Sequence, residues 1–183
     1  MSMQTIAPGE AGDIRHLRRG KRMPDLTLPT TTGGEVNFAK LSGRTIVYCY
    51  PWTGRPGLSN PPNWDEIPGA HGSTPEAEGF RDLHEGFRQV GARVFGLSTQ
   101  SSSYQRELAE RLGLPFELVS DEHFLFQRAL GLPTFATGGT FYLQRLTLAV
   151  LDGRIERLYY PVPTPASHAR EICAWLGMID RSH

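Results

Sequence analysis

The sequence predicts an α/β domain with a central mixed β-sheet flanked by helices, and three observations carry that prediction. A buried-strand run at Thr45–Tyr50 is followed by apolar residues at helical spacing (Phe80, Leu83, Phe87) and then by a second strand-like run, Ala92–Leu97. Two strands joined through a helix lie parallel, with a right-handed crossover. Farther on, Asp152-Gly153 separates two apolar stretches and is a strong two-residue hairpin signal, so an antiparallel pair joins the parallel one.

Taken in order, residues 1–22 form an arm with a basic end, His16-Leu17-Arg18-Arg19-Gly20-Lys21-Arg22, predicted to be solvated, and residues 23–183 form one domain. Leu26–Pro29 and Glu35–Phe38 around Gly33-Gly34 read as a small hairpin. The strand Thr45–Tyr50 leads to a helix over Pro75–Val90, with Pro75 in its first turn, where a missing N–H costs nothing. After Ala92–Leu97 come a helix over Ser103–Leu112, a short strand Phe116–Val119 and a helix Asp121–Leu130 capped by Ser120-Asp121. The hairpin strands span Tyr142–Leu151 and Arg154–Tyr160, and a last helix, Ala166–Leu176, opens at Thr164-Pro165. This order of βαβ, helix, hairpin and helix is that of a thioredoxin-like domain.

The totals exclude several functions. The 183 residues suffice for one sizeable core, and 19 basic against 19 acidic side chains leave no net charge to draw nucleic acid or an anionic membrane. No apolar run approaches the roughly 20 residues of a membrane span. With no secretory-type apolar stretch at the start, a cytoplasmic protein is expected. Cys49 and Cys173 lie in apolar runs and read as core residues, and the scattered histidines predict no metal site. No cofactor is implied.

The chemistry centres on Gly72-Ser73-Thr74-Pro75-Glu76. Ser73 falls at a helix N-terminus, where free N–H groups and the helix dipole favour negative charge. A cysteine there would be a thiolate at neutral pH, whereas a serine hydroxyl has no comparable acidity.

Around this site the sequence resembles the peroxiredoxins, in particular their bacterioferritin-comigratory or Q-type branch. The resemblance covers the chain from Met23 onward. It rests on Leu41-Ser42-Gly43-Arg44 before the strand ending at Pro51, on Thr74-Pro75-Glu76-Ala77 with Gly79-Phe80-Arg81-Asp82, on Phe95-Gly96-Leu97-Ser98, on Leu118-Val119-Ser120-Asp121, and on Arg145-Leu146-Thr147-Leu148 running into Asp152-Gly153-Arg154-Ile155. The family implies a thiol peroxidase acting on hydrogen peroxide or organic hydroperoxides, reduced by thioredoxin, glutaredoxin or a small thiol, and here expected as a monomer or weak homodimer. By position, the peroxidatic cysteine falls on Ser73, the charge-partner arginine on Arg145 and the shielding proline on Pro51. Glu76 is expected near the mouth of the pocket, with Thr74 and Trp52 also lining it.

Three departures matter. Serine replaces the nucleophile, so the chain as written is predicted inactive. Glu78 stands where many Q-type members carry the resolving cysteine. Ala70 takes the family's threonine position, because the insertion Trp52–Ile67 separates Pro51 from the helix; Thr53 is then the candidate for that hydroxyl. Ser73 fits two origins, an introduced change that silences a thiol with one atom, or a native serine in a non-catalytic binding or regulatory module.

Other readings attach to the same residues. His71, Ser73 and an acid would make a hydrolase triad, although Ala70-His71-Gly72-Ser73-Thr74 fails the G-x-S-x-G elbow. Arg145 also fits a surface ion pair. Trp52 and Trp64 fit either a lip over substrate or plain packing. Pro133 fits a loop proline or a cis one, and Ser101-Ser102-Ser103 fits a helix cap.

Overall fold

The computed structural model describes residues 12–177, together with the backbone pairing of Thr5–Ile6. Its elements are β1 (Thr5–Ile6), β2 (Leu28–Pro29), β3 (Glu35–Val36), β4 (Arg44–Cys49), α1 (Ser73–Asp82), α2 (His84–Gln89), β5 (Ala92–Ser98), α3 (Ser102–Leu112), β6 (Leu118–Ser120), α4 (Leu125–Leu130), β7 (Thr134–Thr137), β8 (Thr140–Leu143), β9 (Leu146–Leu151), β10 (Arg154–Tyr159) and α5 (Pro165–Leu176). The main sheet has the order β10-β9-β4-β5-β6. Strand β4 is its centre, parallel to β5 and antiparallel to β9. This is the thioredoxin-like architecture expected.

Strand β4 is apolar on both faces because both are covered. Ile46, Tyr48 and Tyr50 pack with Phe80, Phe87, Leu108 and Ile172 of the helices on one side. Val47 and Cys49 face the other core, with Phe38, Phe126 and Leu17. A third, smaller cluster gathers Trp64, Ile67, Ala70 and Phe135, with Trp52 and Tyr142 packed against it. The Trp-bearing insertion is therefore pinned to the β7–β8 hairpin by edge-on aromatic contacts, Trp52 on Trp64 and Trp64 on Tyr142, so both tryptophans act in packing.

Several expected boundaries move. The helix expected over Pro75–Val90 starts at Ser73 and is interrupted at Leu83, which caps both α1 and α2; the apolar spacing persists because Leu83 accepts from the Phe87 N–H and donates to Gly79. The helix expected from Asp121 begins at Leu125, and the Asp121 carboxylate caps it from a distance by accepting the N–H groups of Phe126 and Gln127. The stretch Tyr142–Leu151 is two strands, since β8 pairs with β7 while β9 pairs with β4 and β10. Gln144 and Arg145 form the corner where the chain changes sheets. Strand β7 directly follows Pro133, in a stretch expected to be loop; the only cis peptide among the described residues is Tyr160–Pro161.

The described part of the arm keeps its basic side chains in solvent, as expected, but is docked on the domain through Leu17 and its backbone. Leu17 is buried, Gly20 donates its N–H to the Ile155 carbonyl, Ile155 donates to Lys21 and Met23 donates to Gly153, so residues 20–23 cover the outer edge of β10. Residues 1–4 and 7–11 of the arm lie outside the described residues. Among the described residues, no helix is long and apolar enough to cross a membrane.

Candidate active site at the start of helix α1

Gly72 sits at φ 105°, a left-handed conformation that glycine adopts without strain, and turns the insertion into α1. A Cβ there would also lie 2.8 Å from Cγ of Pro165, so the first turn of α1 rests directly on the start of α5. Pro75 lies in that turn as expected, and Glu76 makes the first helical bond, its N–H to the Gly72 carbonyl. No side chain caps the helix, which leaves its early N–H groups and dipole facing the site.

Arg145 reaches this point from the corner between β8 and β9. Its Nη2 donates to Oγ of Ser73 at 2.9 Å and to the carbonyls of Ala70 (3.1 Å) and His71 (3.2 Å). Nη1 donates to Oε1 of Glu76 at 2.8 Å, and Nε to the Gly69 carbonyl at 3.3 Å. The Arg145 and Glu76 side chains are 2% and 0% exposed, so the surface ion-pair reading of Arg145 does not hold. Glu76 is also not at the mouth of the pocket. Its place one helical turn after Ser73 puts it beneath the arginine, on the floor of the site.

Burial pushes the Glu76 carboxyl up to about 7, against the opposing pull of the Arg145 guanidinium. Its second oxygen, Oε2, is buried without a hydrogen-bond partner. The Arg145–Glu76 pair therefore gives the site a strong directional donor set whose net positive charge grows as Glu76 takes up its proton around and below neutral pH.

The remaining expected residues divide. Pro51 is buried at the end of β4, where its missing N–H ends the ladder after Tyr50. Thr74 is half-buried in the first turn. Thr53 is buried but joined to Gln100, which accepts its N–H (3.1 Å) and hydroxyl (3.3 Å) and donates back to its carbonyl (3.1 Å); no hydrogen bond links Thr53 to Ser73 or Arg145. Glu78 is half-exposed and pairs with Arg81 at 3.7 Å. The triad is not assembled, because the exposed His71 ring bonds Asp65 and the Ser73 hydroxyl is held by Arg145. Ser101 caps α3, accepting the Tyr104 N–H.

Sequence reasoning missed Gln100 and the carbonyls of Gly69, Ala70 and His71. A polar residue just beyond β5 was the only signal for Gln100, and backbone acceptors leave none. Also missed was a cavity of about 690 Å³ beside the site, walled by Pro68, Pro75, Phe135, Pro161 and Pro163, with His71 among its polar residues.

The redoxin family model matches residues 18–172. Among curated proteins, Arabidopsis thaliana chloroplastic peroxiredoxin Q is 31% identical over 179 residues, covering 93% of this chain and 74% of that protein. The chain belongs to the redoxins, in their peroxiredoxin Q branch. The chloroplastic peroxiredoxin Q of Oryza sativa subsp. japonica is 30% identical over 154 residues; this peroxiredoxin spans 64% of its length. The fold matches peroxidoxin BcpB of Mycobacterium tuberculosis, with TM-score 0.70 at 24% identity over 90% of this chain and 99% of that one. It likewise matches a Cys-to-Ser mutant of Xylella fastidiosa PrxQ, with TM-score 0.72 at 21% identity over 88% of this chain and 96% of that one. The family is one of thiol peroxidases, and the position in this peroxiredoxin that faces Arg145 holds a hydroxyl.

Proposed function

We propose that this chain keeps the peroxide site of a Q-type thiol peroxidase but does not turn peroxide over. The observation that carries the reading is the bond from Arg145 Nη2 to Ser73 Oγ at the uncapped start of α1. In a thiol peroxidase a thiolate sulfur attacks the O–O bond, becomes a sulfenic acid and releases water or an alcohol, and a thiol then returns the sulfur to its reduced state. Ser73 is an alcohol at neutral pH and has no counterpart to that step. Arg145 and the helix N-terminus would hold the peroxide oxygens, with Pro51 and Thr74 shaping the approach. With Glu78 at the resolving position, reduction would fall to an external thiol such as thioredoxin, glutaredoxin or a small thiol.

The test is peroxide consumption by the unaltered chain beside Ser73→Cys, with sulfenic acid trapped and located by mass. The expected result is no consumption by the unaltered chain and fast oxidation confined to position 73 in the variant. Sustained turnover by the unaltered chain that survives Cys49→Ser and Cys173→Ser would overturn the reading. A second reading, a non-catalytic binding module, is favoured by the apolar cavity of about 690 Å³ beside Arg145, a volume suited to a small organic ligand. Oxidation of Ser73→Cys no faster than a free thiol would put that reading first.

A further inference from the structure

The docked end of the arm brings like charges together on the edge of the sheet. Arg22 and Arg154 stand opposite each other across an antiparallel bridge. Like charges so placed repel, and a fold gains nothing from them unless something else sits between. Arg18, Arg19 and Lys21 lie on the same short segment, and all five side chains belong to exposed residues. Among the described residues, none of the five makes an ion pair. Arg154 donates instead to the Gly20 carbonyl at 3.0 Å. The carboxylates nearest along the chain are already engaged: Asp13 pairs with Arg15 at 2.9 Å, Asp25 accepts from the Asn37 amide at 2.7 Å, Asp152 accepts the Gly43 N–H at 2.7 Å, and Glu156 accepts both Nε and Nη2 of Arg44, at 2.9 and 2.7 Å.

We propose that this edge, Arg18, Arg19, Lys21, Arg22 and Arg154, is a docking surface for a short acidic segment of a partner protein. Charge complementarity selects an anion, and the surroundings select its kind. The apolar residues of the segment, Leu17 and Met23, are buried, which leaves nothing to insert into a lipid surface. The aromatic rings nearest along β10 and α5 are already faced by arginines, Arg157 over Tyr159 and Arg44 over Trp175, and offer no free platform for a nucleobase. The chain has no net charge, so a long polyanion that extended past the patch would meet the acidic remainder, whereas a short acidic segment would meet the cations alone.

The experiment is fluorescence anisotropy of a labelled oligoglutamate peptide with the full chain, at low and physiological salt, beside Arg22→Glu and an oligonucleotide of equal charge. Binding should weaken with salt, and Arg22→Glu should weaken it roughly tenfold or more, as loss of an interfacial charge pair does. The same substitution turns a repulsive cross-strand pair into an attractive one, so without peptide the variant should melt at a higher temperature than the parent at low salt. Salt-independent binding, unchanged binding by Arg22→Glu, a lowered melting temperature, or tighter binding of the oligonucleotide than of oligoglutamate would each overturn the assignment.

Discussion

Two short side chains, one ending in oxygen and one in sulfur, stand in contrast: Ser73 at the start of helix α1 and Cys49 near the end of the central strand β4. Ser73 has a guanidinium at 2.9 Å, a helix N-terminus behind it and a cavity alongside. Cys49 has a thiol, but it is wholly buried among Val47, Phe126 and Leu146, and burial pushes its ionisation far above the usual thiol range, with Asp121 and Glu76 adding to the effect. Cys173, on α5, is pushed up to about 11, chiefly by burial. The chain thus has sulfur where burial disfavours a thiolate, outweighing even Arg170 at Cys173, and a poised cation where there is no sulfur. Reactivity belongs to neither the atom nor the surroundings alone.

The contrast breaks most severely at Arg145. Arg145→Met would leave Glu76 buried without its partner, and urea titration at pH 8 should show a loss of about 3–5 kcal/mol. At pH 5, where Glu76 takes up a proton, the loss should be much smaller; equal losses at the two values would mean that Glu76 is not the group left behind. Next in size is the rate of sulfur chemistry. Ser73→Cys should be oxidised by hydrogen peroxide roughly a hundred- to a thousandfold faster than a free thiol, which is what one pre-aimed buried donor contributes. Adding Arg145→Met should remove that gain, as read by stopped-flow fluorescence or by trapping the sulfenic acid.

A third effect concerns pH. The Glu76 carboxyl ionises near 4.5 when unfolded and at about 7 when folded, so the folded state binds the proton more tightly. Stability from this group is therefore fully present below about 4.5, is lost as pH rises toward 7 and is level above. His168, buried between Phe80 and Tyr159, shifts the other way, chiefly through burial, and gives a slope of opposite sign below its ordinary value. The difference between the parent and Glu76→Gln isolates the carboxyl: melting curves across this range should show the parent's margin over the variant shrinking as pH rises. The smallest expected effect is none at all. Native protein at pH 8 should resist alkylation at Cys49 and Cys173, with both thiols modified in denaturant, as intact mass will report.

Much of the site was legible because its parts are side chains at telling positions. Proline in a first turn located the helix, and the resemblance to the peroxiredoxins put Arg145 with Ser73. The depth of Glu76 was not legible, since a carboxylate one turn into a helix is ordinarily solvated and only the arriving arginine makes burial tolerable. Strand β7 was hidden by Pro133 and by threonines at both its ends, residues as common in loops; its pairing with β8 decides the matter. The docked arm was hidden for a different reason, because its attachment to β10 runs through backbone groups of Gly20, Lys21 and Met23 while its side chains advertise only charge.

The carbonyls of Gly69, Ala70 and His71 that hold Arg145 have one more consequence. Acceptors made of main chain are inherited with the path of the chain and not with its letters. Substitutions at the exposed His71 that respect this path leave the cradle intact, so that position is free to diverge in sequence while the guanidinium stays aimed. A lineage could lose or regain the sulfur at position 73 by a single codon change, with the apparatus that would activate it preserved throughout by geometry that mutation of the neighbouring side chains does not reach.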